Sequence, residues 1–163
     1  MKFLNVRTAT YITLLAGATI GLYSCSPTQE PFRTVQFCFT AANGSSQLRD
    51  ELRQISNEEK MTFHDVSDQS YEQVKSSAPQ LLHNIDRSNY IEIFVGKDDG
   101  MGLGAGNQGL GGNQVAVGFT AGANPGLAAQ FSNRVLERLH KKWKIFDVSK
   151  GSAAQPLNCQ ENK

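Results

Sequence analysis

Three thiols are the most reactive side chains of this 163-residue chain, and their positions assign them different chemistry. Cys25 closes the most apolar stretch of the chain, at its N-terminal end. Cys38 sits in Thr-Val-Gln-Phe-Cys-Phe-Thr, where Val35, Phe37 and Phe39 alternate with Gln36, Cys38 and Thr40, the period of a half-buried strand. That alternation points the Cys38 thiol away from the core side. Cys159 lies in a polar C-terminal tail. Joining Cys38 to Cys159 would close a loop on the order of 120 residues, worth roughly 5 kcal/mol by chain entropy. The other reading is two separate thiols, one in a strand and one loose in the tail.

The remaining inventory for catalysis is thin. His64 and Asp65 are adjacent within a candidate strand, so their side chains go to opposite faces and do not form a local acid–base pair. His83 and His140 are isolated, with no H-x-x-x-H or H-E-x-x-H spacing for zinc and no G-x-S-x-G elbow. No catalytic residue, metal site or cofactor is therefore assigned. The enzyme alternative is a hydrolase whose site gathers His64 or His83 with a carboxylate from distant parts of the chain.

A glycine-rich segment, Gly-Lys-Asp-Asp-Gly-Met-Gly-Leu-Gly-Ala-Gly-Asn-Gln-Gly-Leu-Gly-Gly-Asn-Gln, runs from Gly96 to Gln114. Gly104 to Gly109 fits G-x-G-x-x-G letter for letter, but a dinucleotide loop must run from strand into helix, and this one runs toward another strand. Asp98, Asp99 and Asn107 offer oxygen ligands to calcium without the EF-hand spacing or its bidentate glutamate. The segment reads as a long hairpin tip. A glycine-rich backbone is costly to order unless something binds it, so Asp98, Asp99, Met101, Leu103, Asn107, Gln108 and Leu110 are the candidate partner-binding residues.

The N-terminal segment carries Lys2 and Arg7 and then no charge until Glu30, the order of an export signal. The uncharged stretch ending at Ser24 is short for a permanent span of about 30 Å of hydrocarbon. Its end, Leu22-Tyr23-Ser24-Cys25, resembles the lipobox of bacterial lipoproteins, with an apolar residue at −3 and a small one at −1. The resemblance implies cleavage before Cys25, lipid on its sulfur and amino group, and, with Ser26 following, sorting to the periplasmic face of the outer membrane. Cleavage after Ala16-Gly17-Ala18 and an uncleaved anchor are the alternative readings. Lipid attachment would place Cys38 and Cys159 in a compartment that oxidises thiols, leaving them as an even pair.

Losing residues 1–24 removes two cations and no acid from 16 Lys+Arg and 15 Asp+Glu, so the mature chain is nearly neutral. That balance excludes nucleic acid as a partner, which calls for a concentrated basic surface. The domain scheme is a signal peptide (1–24), a lipidated tether (25–33) with two prolines, a folded domain (34–150) and a C-terminal tail (151–163).

The folded part alternates strand and helix signals. Leu48, Leu52 and Ile55 recur at helical spacing behind a cap at Ser45 or Ser46. Lys-Met-Thr-Phe-His-Asp-Val is a strand candidate, and Ser70-Tyr71-Glu72-Gln73 has capping-box form. Tyr-Ile-Glu-Ile-Phe-Val-Gly and Gln-Val-Ala-Val-Gly-Phe-Thr read as a pair of neighbouring strands across the glycine-rich tip. Asn124-Pro125 opens a helix with Leu127, Phe131, Val135, Leu139 and Trp143 on its buried stripe and Arg134, Glu137, Arg138 and Lys141 facing out. Lys-Ile-Phe-Asp-Val would be the last strand.

This order predicts an α+β domain: a mixed or antiparallel sheet of about five strands with helices packed on one face, of ferredoxin-like character. The expected role is a tethered protein-binding module whose partner is an envelope protein or a toxin, acting as an assembly component or an immunity-type inhibitor.

Overall fold

The computed structural model describes residues 30–159. Cys25 and its lipobox lie outside the described residues. Ten elements follow in order: β1 (Arg33–Cys38), α1 (Gly44–Glu59), β2 (Thr62–Asp65), α2 (Ser67–Ser77), a 3-10 turn (Pro79–Leu82), β3 (Glu92–Gly96), β4 (Met101–Gly106), β5 (Gln114–Ala121), α3 (Pro125–His140) and β6 (Ile145–Val148). The strands form one sheet in the order β2-β3-β4-β5-β1-β6, and every neighbouring pair is antiparallel. The fold is α+β, as composition and element order imply.

Two crossovers set its handed frame. β1 and β2 run the same way and are joined through α1; β5 and β6 run the same way, on either side of β1, and are joined through α3. That is ferredoxin-like connectivity widened by two strands, β3 and β4.

The added strand β4 is the main departure from expectation. Glu92–Gly96 and Gln114–Ala121 are not neighbours; each pairs with Met101–Gly106, which lies between them. The supposed hairpin tip is therefore a central strand of a six-stranded sheet. Met101, Leu103 and Ala105 alternate inward, and Gly102, Gly104 and Gly106 alternate outward. Strand propensity hides this, because glycine is depleted in strands and has no side chain to reveal the period.

One face of the sheet meets α1 and α3. Val35, Phe37, Ile91, Ile93, Val95, Leu103, Val115, Val117 and Phe119 pack there against Leu48, Leu52 and Ile55 of α1 and Phe131, Val135 and Leu139 of α3. Trp143 stacks on Phe37 with ring centroids 5.0 Å apart, sealing the end of the stripe. Leu127, expected on that stripe, is half exposed; it lies in the first turn of α3, where Asn124 Oδ1 accepts its N–H at 3.1 Å. A smaller cluster of Val74, Ile85 and Tyr90 joins α2 to the start of β3.

Two helix starts differ from the serine caps expected. α1 opens at Gly44, where a β-carbon would fall 2.4 Å from the Phe39 side chain, and Asn43 supplies no side-chain cap. α2 opens at Ser67, whose N–H is accepted by Asp65 Oδ1 at 3.1 Å, so Ser70 lies inside the helix.

Arg134 is exposed as expected and Arg138 is partly buried, and both clamp α3 to α1. Arg138 bonds Glu51 and Glu58, Arg134 bonds Glu59 at 2.7 Å, and Lys142 reaches Glu51 at 2.5 Å. Burial alone would raise the Glu51 carboxyl, but the Lys142 hydrogen bond and the Arg138 charge hold it below the usual range. Glu59 is likewise lowered, chiefly by its hydrogen bond from Arg134.

Candidate functional site

The other face of the sheet is where the sequence departs most from an ordinary core-forming pattern. On it, Phe94 of β3 stands opposite Gly104 of β4, and Gly104 stands opposite Gly118 of β5. One register step on, Gly106 faces Glu92 on one side and Ala116 on the other. The β4 and β5 positions here, Gly104, Gly106, Ala116 and Gly118, carry little or no side chain, so the backbone of β4 forms the floor of a shallow apolar trough of about 830 Å³. Phe94 is 48% exposed, the largest aromatic surface on this face.

The glycines serve different purposes. A β-carbon at Gly104 would touch the Phe94 ring at 3.4 Å, and one at Gly118 would lie 3.1 Å from Pro31 Cγ, so each lets a ring lie close to the sheet. A β-carbon at Gly102 would fall 2.2 Å from the Val95 carbonyl oxygen, a main-chain clash that no rotamer can relieve. At Gly106 the nearest atom would be the Ile91 carbonyl oxygen at 3.6 Å, an ordinary contact. Gly102→Ala should therefore cost about 2–3 kcal/mol in urea denaturation. Gly106→Ala should be neutral or stabilise by about 0.5 kcal/mol through the lost chain freedom of glycine. Equal effects at the two positions would contradict this packing.

The C-terminal tail covers the neighbouring half of the same face. Gln36 Nε2 donates to the Gln155 carbonyl at 2.6 Å and to Gln114 Oε1 at 3.2 Å. Gln114 Nε2 donates to the Leu157 carbonyl at 3.1 Å, and Leu157 N–H donates back to Gln114 Oε1 at 2.6 Å. Gln36 and Gln114 are 2% and 5% exposed, so the main chain of the tail satisfies amides that would otherwise be buried without partners. Cys38 and Cys159 form a disulfide with Cα atoms 5.6 Å apart, pinning the tail end to β1. Ala153 and Ala154 form the trough wall on the tail side, with Pro31 beside them.

The residues assigned to a partner-binding loop are split by β4. Met101 and Leu103 are core residues of that strand, 5% and 3% exposed, and Leu110 is buried as well. Asn107 is fully buried: its Oδ1 accepts the Ile91 N–H at 2.9 Å and its Nδ2 donates to the Asn89 carbonyl at 2.8 Å, tying the end of β4 to the chain before β3. Asp99 closes the β3–β4 turn by accepting the Met101 N–H at 2.9 Å. Asp98 and Gln108 are exposed, and both border the trough. The segment after β4 does not project: Gly109 and Gly112 N–H groups donate to Leu81 and Asn84 carbonyls, docking it on the 3-10 turn.

The structure does not bring the histidines together. His64 is exposed at the trough rim, and His83 opens on a separate depression of mixed lining, with Asn84, Asn89 and Ser45 beside Phe39 and Leu110. Asp65 turns toward α1, where Arg49 Nε donates to it at 3.1 Å. The Glu92 carboxylate, also at the rim, is held by Ser70 and by the Tyr90 hydroxyl at 2.9 Å. Burial, opposed by the Ser70 hydrogen bond and aided by that of Glu92, raises the Tyr90 phenol above its ordinary value. Among the described residues, no group of three or more His, Cys, Asp or Glu side chains is placed to hold a metal ion. Nor, among them, is any helix long and apolar enough to cross a membrane.

Residue-type reasoning missed Phe94, Gly104, Gly106 and Gly118 as site residues. The available signal was the strict alternation of glycine with Met101, Leu103 and Ala105. Comparison of the chain with protein-family models and with curated proteins finds no match.

Proposed function

We propose that this chain is a lipid-anchored module on the periplasmic face of the outer membrane that binds a protein, either an envelope component it helps to assemble or a toxin it neutralises. The observation that carries the binding reading is the exposed Phe94 beside a strip of sheet with no side chains. A solvent-facing sheet surface is ordinarily lined with polar or charged residues, and this one, uncovered among the described residues, is apolar and glycine-floored.

Two further features support the location. The disulfide is of the kind that persists outside the reducing cytoplasm. Pro31 lies at the trough rim, and the six residues from Cys25 to Glu30 can extend at most about 20 Å, so a lipid on Cys25 would keep the trough close to the membrane surface.

The binding reading is tested with protein carrying Cys25→Ser and starting at that residue, mixed with detergent-solubilised envelope. A partner should be retained by this protein and lost from its Gly106→Val form. Identical retention by both would reject the trough as the contact. Intact-mass measurement of the native protein tests the anchor separately: diacylglyceryl and acyl mass on a chain starting at Cys25 is expected, and an unmodified start would overturn it.

A further inference from the structure

We infer that the trough takes an extended, uncharged peptide segment of the partner, laid along β4 beside the chain's own tail; this deepens the binding reading above and rests on it. The tail provides the precedent. Residues 153–159 already lie on the adjoining half of the same sheet face, over β1 and β5, held by side-chain amides that bond to their main chain and by a disulfide at the end. The face is thus built to carry a peptide on its surface, and half of it carries one.

The dimensions and chemistry of the half that no described residue covers fit the same kind of occupant. From Phe94 on β3 to Gly118 on β5 is two strand spacings, roughly 10 Å, the width one extended chain needs. Without side chains at Gly104 and Gly106, an occupant can approach the sheet more closely than two ordinary sheet faces do. The N–H and C=O groups of β4 are paired with β3 and β5 on both sides, so the floor offers shape and apolar contact rather than a free strand edge. Polar groups stand around the floor: Thr62 and His64 on one side and Gln108 at one end, each exposed and able to bond the main chain of an occupant, with Thr34 and Thr120 on the β1 and β5 side. Lys97 and Asp98 sit together at the β3–β4 turn with opposite charges, and Glu92 is held by Ser70 and Tyr90. Glu92 leaves one formal negative charge, at the rim and already hydrogen-bonded, and the glycine floor carries none to select a charged ligand. Small or aromatic side chains fit best, small ones over the glycines and aromatic ones against Phe94.

The experiment selects from a displayed library of random dodecapeptides on the Cys25→Ser protein and maps one enriched peptide by amide chemical shifts. Uncharged peptides should be enriched, and they should move the amides of residues 102–106. Affinity should fall at least about tenfold in Gly106→Val, whose side chain fills the trough over an unstrained position. Phe94→Ser, a change at an exposed side chain, should weaken binding similarly and guards against a folding defect in the first variant. Enrichment of nothing, or of peptides insensitive to both changes, would overturn the inference. So would shifts of the same amides produced by palmitate alone, which would make the occupant an acyl chain, or by raising the protein concentration alone, which would make it a second copy. A partner retained from envelope in a Gly106-dependent way, with no peptide enriched, would sink the extended-segment claim and leave the binding reading standing.

Discussion

Replacing Cys38 and Cys159 together by serine should lower the unfolding free energy by about 4 kcal/mol and the midpoint temperature by roughly 15 °C. The cross-link joins residues 121 apart in sequence, so it restricts nearly the whole folded chain in the unfolded state. The native state also loses something. Without the bond, the tail is held on the sheet by the hydrogen bonds of Gln36 and Gln114 and by its own packing, each bond worth about 1 kcal/mol net. The tail should therefore become sensitive to limited proteolysis after residue 150 well below the midpoint, and the glutamines should hydrate. Reduction of the native protein should give the same result. An unchanged midpoint with a protected tail would show that the packing, not the bond, holds the strap.

The second large effect is at the joint between α1 and α3. Glu51 is 5% exposed and faces both Arg138 and Lys142, while its cationic partners are considerably more accessible. Glu51→Ala removes the buried anion that organises the pair and should cost about 3 kcal/mol, at the lower end for a broken buried ion pair because Arg138 keeps Glu58 and both cations can reach water. Glu51→Gln should recover part of the loss by keeping a hydrogen-bond acceptor. The pH dependence follows from the sign of the shifts. The Glu51 and Glu59 carboxyls are lowered in the folded state, so their contribution is fully present above the unfolded value of about 4.3 and is lost as pH falls through their folded values. Urea titrations at neutral pH and below pH 4 should show a smaller difference between Glu51→Gln and the unaltered protein in acid. A difference independent of pH would mean that packing, not charge, is what Glu51 contributes.

Much of this architecture can be read from residue patterns, for identifiable reasons. The α3 stripe through Phe131, Val135, Leu139 and Trp143 combines length, period and a capped start, and those are local properties. Strand parity turns Cys38 away from the core and so makes its pairing with Cys159 one of two readings, the other being separate thiols; the structure shows the bond. Strand β4 escaped because its outward residues are glycines, which give no polar signal, and because its inward residues are only three. The charged clamp escaped for another reason: Arg134 and Arg138 border the apolar stripe, and whether a bordering charge meets water or a neighbouring helix depends on how α1 and α3 pack. The glycine trough is a product of pairing register. Phe94, Gly104 and Gly118 become one surface only when three strands are aligned side by side.

Contact at that surface in the cell can be read directly. A photo-crosslinking amino acid placed at position 94, on the open face, and another placed at Glu137, exposed on the helix side, separate the two faces of the same molecule. Irradiation of intact cells should give a discrete heavier adduct from position 94, absent from position 137 and lost when Gly106→Val is added. No adduct from position 94, or the same adducts from both positions, would contradict it.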